Sequence, residues 1–273
     1  ALNKYVPERQ LDILAASLPF LRGVFPTHRA FSTAGIEEVL GERLGEAQRL
    51  EAVWLESTLF LNRGDRFEAR ALPREAQFAP VFGLAVADFD GDGAVDLFLA
   101  ENFFGVPPET ARYDAGRGLV LRGDGRGGFA PLPGQVSGVK VYGEQRGAAV
   151  ADFDRDGRVD LAVAQNGAET RLFRNQIARP GLRVRLNAGP GNPEGLGAQV
   201  RGIFGGQPGP VFEVRTGGGY WSQDSAVLVI PGAGPPEALW VRWPGGREQR
   251  VTVPAGAREV TVRAEAGAEP AAR

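Results

Sequence analysis

Two nine-residue stretches carry the residues best suited to chemistry. They are Asp88-Phe89-Asp90-Gly91-Asp92-Gly93-Ala94-Val95-Asp96 and Asp152-Phe153-Asp154-Arg155-Asp156-Gly157-Arg158-Val159-Asp160. Carboxylates on alternate residues of a tight loop converge on one point, and the glycine at the sixth place lets the backbone turn sharply. Four like charges held together repel unless a cation sits among them. All-oxygen ligands favour a hard cation, and a crowded, flexible site suits calcium better than octahedral magnesium. The carbonyls of Ala94 and Arg158 add a ligand whatever their side chains. Both loops therefore read as calcium sites. The first set is Asp88, Asp90, Asp92, Ala94 and Asp96; the second is Asp152, Asp154, Asp156, Arg158 and Asp160.

An EF-hand is excluded by the residues flanking each loop. That motif needs a bidentate Glu at the twelfth place and helices on both sides, where this chain has Leu99 and Val163. The flanks are short apolar runs bounded by glycine and aspartate, the pattern of buried strands. They are Gly83 to Ala87 and Val95 to Ala100 around the first loop, Gly147 to Ala151 and Val159 to Ala164 around the second.

The elements that position these loops repeat. Leu59-Phe-Leu-Asn-Arg-Gly-Asp-Arg-Phe67 resembles Leu119-Val-Leu-Arg-Gly-Asp-Gly-Arg-Gly-Gly-Phe129, and Leu172-Phe-Arg-Asn-Gln176 echoes its start. A multi-strand unit copied in tandem points to the blade of a β-propeller. The glycines from Gly123 to Gly128 lack the Gly-Lys-Ser/Thr of a phosphate loop and read as a hairpin turn. The strand expected before Asn62 runs from Leu50 to Leu61.

Residues 1–48 are the only helical stretch expected, an insertion or lid. Leu11, Ile13, Leu14, Leu18 and Leu21 recur at helical spacing, Pro19 and Pro26 limit the helices, and Thr33 is placed to cap one through Ile36, Val39 and Leu40. Blades with the two calcium loops occupy 49–179. After Ala178-Arg-Pro-Gly181 the repeat stops, and seven strands are expected in 180–263: Leu182–Leu186, Gln199–Phe204, Val211–Val214, Ala226–Ile230, Leu239–Trp243, Glu248–Val253 and Glu259–Val262. They predict a small antiparallel, sandwich-like domain. Residues 264–273 read as a flexible tail. The fold class is mostly β, a partial propeller followed by this second β-domain.

Composition narrows the functional classes. The 273 residues have an apolar fraction of 43%, a net charge of −2 and no cysteine. There is no nucleic-acid or anionic-membrane signature, no disulfide, thiolate metal site or cysteine nucleophile, and no apolar run long enough to span a bilayer. The chain starts at Ala1 with no leader, so a processed form or fragment is expected, with its signal sequence out of view. Its one histidine, His28, has no candidate nucleophile near it, so no Ser–His–acid enzyme is expected. A carboxylate-pair glycosidase is the remaining enzymatic alternative.

Phe82-Gly83-Leu-Ala-Val-Ala-Asp88 together with the loop through Asp96 resembles an FG-GAP (VCBS-type) repeat, the blade unit of integrin-like propellers. The second copy opens differently, at Tyr142-Gly143, and keeps all four acidic positions. Asn192-Pro-Glu-Gly-Leu-Gly-Ala-Gln-Val200, Gly217-Gly-Gly-Tyr-Trp-Ser-Gln-Asp-Ser225 and Val241-Arg-Trp-Pro-Gly-Gly246 resemble the ASPIC/UnbV domain. Ile230-Pro-Gly-Ala-Gly234 departs from that family's Phe-Gly-Leu-Gly-like element. The resemblance implies an exported, calcium-stabilised, non-enzymatic protein. It would be extracellular, at the cell surface or periplasmic, acting in adhesion or as a scaffold. Its partners would be a protein or glycan at the cell surface, or further copies of itself.

Two clear blades cannot close a propeller. Missing blades, partner chains, an open partial propeller or a subunit of a surface filament are the expected solutions. Tyr220 and Trp221 beside Gln223 and Asp224 are the candidate carbohydrate contacts. As neighbours on a strand the two aromatics would face opposite ways, one of them into the core.

Overall fold

Proline sets the layout of the N-terminal segment in the computed structural model, which describes residues 4–264. Helices α1 (Leu11–Ser17) and α2 (Leu21–Val24) stop short of Pro19 and Pro26, and α3 (His28–Ser32) and α4 (Ile36–Leu40) follow. The predicted apolar positions Leu11 and Leu21 form their core with Ala15, Phe25, Phe31, Ala34 and Val39, and Phe25 meets Phe31 edge-on at 5.5 Å. Thr33 is not the cap of α4. Its hydroxyl donates to the Ala30 carbonyl and so closes α3, while Gly35 caps α4 by donating its amide to the Glu38 carboxylate. His28 faces Asp12 at 3.2 Å on the surface. The described residues up to Leu55 form one compact unit and those from Glu56 another.

The strand expected from Leu50 begins only at Thr58. Strand β1 (Thr58–Asn62) pairs with β2 (Phe67–Ala71), and the ladder ends where Leu72 donates to the Ser57 carbonyl. Pro73 has no amide to continue it, and Leu50, Val53 and Leu55 are left exposed.

Two antiparallel meanders hold the Asp loops. The first has the order β3 (Val81–Ala87), β4 (Asp96–Glu101), β5 (Leu119–Gly123) and β6 (Phe129–Leu132); the second has β7 (Glu144–Ala151), β8 (Asp160–Asn166) and β9 (Ala168–Phe173). Each Asp loop joins the first strand of its meander to the second. The predicted hairpin at Gly123–Gly128 is present, with Asp124 accepting the Arg126 and Gly128 amides. Among the described residues two short helical turns lie outside the N-terminal stretch, Arg74–Gln77 and α5 (Gly134–Ser137). Both follow a proline, whose fixed φ favours entry to a helix. Strand β4 is buried along its whole length. Ala85, Phe98, Ala100 and Val120 of the first sheet share one core with Ala148, Leu161 and Val163 of the second. Strand β3 reaches β7 so closely that a Cβ on Gly83 would lie 2.6 Å from the Arg146 carbonyl oxygen, which accounts for the glycine of the Phe82-Gly83 opening. No sheet closes into a ring among the described residues.

All seven C-terminal strands form at the expected places. They are β10 (Leu182–Asn187), β11 (Gln199–Phe204), β13 (Phe212–Glu213), β14 (Leu228–Ile230), β15 (Ala238–Arg242), β16 (Glu248–Thr252) and β17 (Glu259–Arg263), with a short β12 (Gln207–Pro208) added. Two sheets, β14-β10-β17 and β12-β11-β15-β16, enclose a core of Leu182, Val184, Ile230, Val200, Leu239, Val241 and Trp243. The domain is not wholly antiparallel, because β10 and β17 run parallel, Arg183 beside Glu259 through Asn187 beside Arg263. The long excursion through the other sheet lets the chain return in the same direction. Of the tail expected at 264–273, residues 265–273 lie outside the described residues.

Candidate metal centres

Each loop builds its carboxylate cluster with its own amides. In the first, Asp88 is buried; its Oδ1 accepts the Gly91 amide at 2.6 Å and its Oδ2 the Gly93 amide at 2.8 Å. Asp90 accepts from Asp92, and Asp92 from Ala94. Buried Asp96 closes the loop, accepting from Phe89 and, across the sheet, from Gly123, each at 2.8 Å. The second loop repeats the pattern. Asp152 accepts from Asp156 and Gly157, and Asp160 accepts from Phe153 and from Asn175 at 2.7 Å. The sixth residues, Gly93 and Gly157, have φ of 95° and 85°, where a side chain is strained.

Oxygens of Asp88, Asp90 and Asp96 lie within 4.8 Å of one another, as do those of Asp152, Asp154 and Asp156. The structure thus gathers six of the eight expected carboxylates into two clusters, with Asp92 and Asp160 beside them in their loops. In the first cluster, burial pushes Asp96 up to about 6, and the charges of Asp90 and Asp88 add to the effect. Burial raises Asp88 as well. Among the described residues only Arg122, at 3.4 Å from Asp90 and 3.9 Å from Asp92, makes an ion pair with this loop. Converging, weakly compensated oxygens of this kind fit a hard divalent cation.

The second cluster meets more positive charge. Arg174 lies 2.5 Å from Asp154 and 3.4 Å from Asp156, Arg158 lies 2.7 Å from Asp156, and buried Arg183 pairs with buried Asp152. Burial alone would raise Asp156, yet its Arg158 hydrogen bonds and the Arg174 charge hold it below the usual carboxylate range. Arg122 and Arg174 occupy matching places at the ends of β5 and β9, a correspondence already visible as Leu-Arg-Gly against Phe-Arg-Asn. Asn175 ties the loops together, donating to the carbonyls of Phe89 at 2.8 Å and Val159 at 3.1 Å. Arg183 has no repeat counterpart to announce it.

The four candidate carbohydrate contacts have different surroundings. A bridge between Gly219 and Ser222 makes Tyr220 and Trp221 the corner of a tight turn, so strand alternation does not apply and neither aromatic enters the core. Tyr220 packs edge-on against Phe82 at 6.5 Å. Trp221 is 93% exposed and has a φ of 47°. Gln223 lines a shallow pocket with Phe153 and Leu172, and Asp224 is committed to the Val150 amide at 2.9 Å. Trp243 packs in the core, donating to Gln249 at 2.9 Å.

The chain is thus β-rich, with tandem Asp-loop sheets leading into a second β-domain. Residues 189–269 match the family model described as ASPIC and UnbV. The chain is also 30% identical over 166 residues to integrin alpha-4 of Xenopus laevis, covering 54% of this chain and 15% of that protein. The two matches support an FG-GAP-like protein. No helix among the described residues is long and apolar enough to cross a membrane.

Proposed function

We propose that this chain belongs to an exported, calcium-stabilised protein with integrin-like propeller blades, which acts without catalysis in adhesion or as an extracellular scaffold. The observation that carries the reading is the convergence of Asp88, Asp90 and Asp96 oxygens within 4.8 Å in a loop locked between two strands. The partial likeness to an integrin alpha chain supports a surface location and a protein partner. Asp88, Asp90, Asp92 and Asp96, with the Ala94 carbonyl, would hold the ion. The ion would supply countercharge and a fixed loop shape. A rigid strand-loop-strand site of this kind suits millimolar extracellular calcium as a permanent staple.

The partner surface in this reading is the strand-joining loops, above all the one from Asn102 to Arg117. That loop is braced by the bridge between Phe103 and Tyr113 and by Arg112 over Phe104 at 5.3 Å. Thermal unfolding with excess calcium and after chelation, alongside metal content by mass spectrometry, tests the proposal. A midpoint raised by calcium and lowered by chelation is expected. An unchanged midpoint with no bound metal would overturn it.

A further inference from the structure

The two loops share a sequence pattern but not a charge environment. Among the described residues the first pairs with one guanidinium, that of Arg122, whose side chain is 60% exposed and no nearer than 3.4 Å. The second faces three. Arg174 and Arg158 reach Asp154 and Asp156, and Arg183 reaches Asp152 with both side chains almost wholly buried, at 5% and 1% exposure. Arginine keeps its charge at any ordinary pH, and its planar fork suits carboxylates. Arg183 also donates to Glu259 at 2.8 Å. A buried guanidinium that lost its Asp152 partner to an ion would be costly to leave under-paired.

These arginines also tie the loop to the C-terminal domain. Arg183 opens β10 of that domain, beside its parallel neighbour β17. Arg158 donates through Nε to the Ala178 carbonyl at 2.6 Å, and the Gly181 amide donates to the Gly157 carbonyl at 2.7 Å. The second loop is therefore bonded to Gly181 and Arg183, among the first residues of the second domain, and to Ala178 just before it. In the first loop the seventh residue is Ala94, which has no charge to contribute.

We propose that the loops take different counter-charges: a divalent cation of the calcium class in the Asp88 loop, and the guanidinium groups of Arg158, Arg174 and Arg183 in the Asp152 loop. The second loop thereby serves as a metal-independent joint to the C-terminal domain. This rests on the calcium reading of the first loop.

Equilibrium dialysis of the full chain against radioactive calcium at roughly millimolar free ion tests it. The expected result is one ion per chain, lost in Asp90→Asn and retained in Asp154→Asn. The double variant Arg158→Ala/Arg174→Ala leaves the buried Arg183–Asp152 pair in place and is expected to stay at one ion; a second ion in it would overturn the role given to Arg183. Two ions on the unaltered chain, or loss of the ion in Asp154→Asn but not in Asp90→Asn, would overturn the proposal while leaving calcium stabilisation intact. No ion on the unaltered chain would overturn both.

Discussion

The carboxylate of Asp224 accepts the Val150 amide at 2.9 Å, joining residues 74 positions apart, and the Ser225 amide returns a bond to the Val150 carbonyl at 2.9 Å. Strand β7 is the edge of its sheet, and this pair of bonds places a C-terminal segment along it. Gly219 lies near Leu84 of β3, the edge of the other meander. An uncovered strand edge invites pairing with another chain, and here the second β-domain supplies part of the cover.

Asp224→Ala should therefore leave the Val150 amide without an acceptor and cost about 1–3 kcal/mol of stability. Asp224→Asn keeps a carbonyl oxygen in place and should recover much of that loss. Urea unfolding of the two variants checks both outcomes, and equal stabilities would contradict the assigned role.

Calcium at about ten to a hundred times its dissociation constant should stabilise the chain by about 1–3 kcal/mol. For a chain of this size that corresponds to a midpoint rise of roughly 2–4 °C per kcal/mol. Asp90→Asn should remove the calcium-dependent rise while leaving a folded protein, because Asp90 is only partly buried and bonds within its own loop. Differential scanning calorimetry with and without chelator reads the difference.

Glu101 sets a pH dependence away from the metal loops. It is buried, accepts the Arg117 amide at 3.3 Å, and burial pushes it up to about 7 from an ordinary value of 4.5. A carboxyl raised on folding binds more protons in the native state. Its contribution is complete below 4.5 and is lost as pH rises through about 7. The midpoint should fall across that window, and Glu101→Gln should flatten the profile. An unchanged slope in the variant would contradict this assignment.

Phe98 is fully buried at the centre of the core shared by the two meanders. Phe98→Ala should cost about 3–5 kcal/mol, measured by chemical denaturation. Trp221 offers the opposite case. Exposed, and with positive φ, it should tolerate replacement by glycine with stability unchanged or raised by roughly 1 kcal/mol.

Much of this architecture was legible from local pattern. The Asp loops, their flanking strands and the seven C-terminal strands follow from alternation, apolar runs and glycine placement, which act within a few residues. The illegible part depends on distant partners. The Leu50–Ser57 run is apolar enough for a strand, but pairing stops at Pro73, on the other side of the hairpin. The parallel pairing of β10 with β17 needs the path of the intervening chain. Asp152 and Asp88 are identical in type and spacing, and only the fold brings Arg183 to one and not the other. Tyr220 and Trp221 carry strand-like residue types, yet the glycines from Gly217 to Gly219 and the Gly219–Ser222 bridge turn them into a corner.

The most direct test of the central claim is a crystal structure of the chain grown in roughly millimolar calcium, with anomalous diffraction to locate the ion. The account predicts a peak among the carboxylates of Asp88, Asp90 and Asp96, in contact with the Ala94 carbonyl. An ordered Asp88 loop without a peak would contradict it.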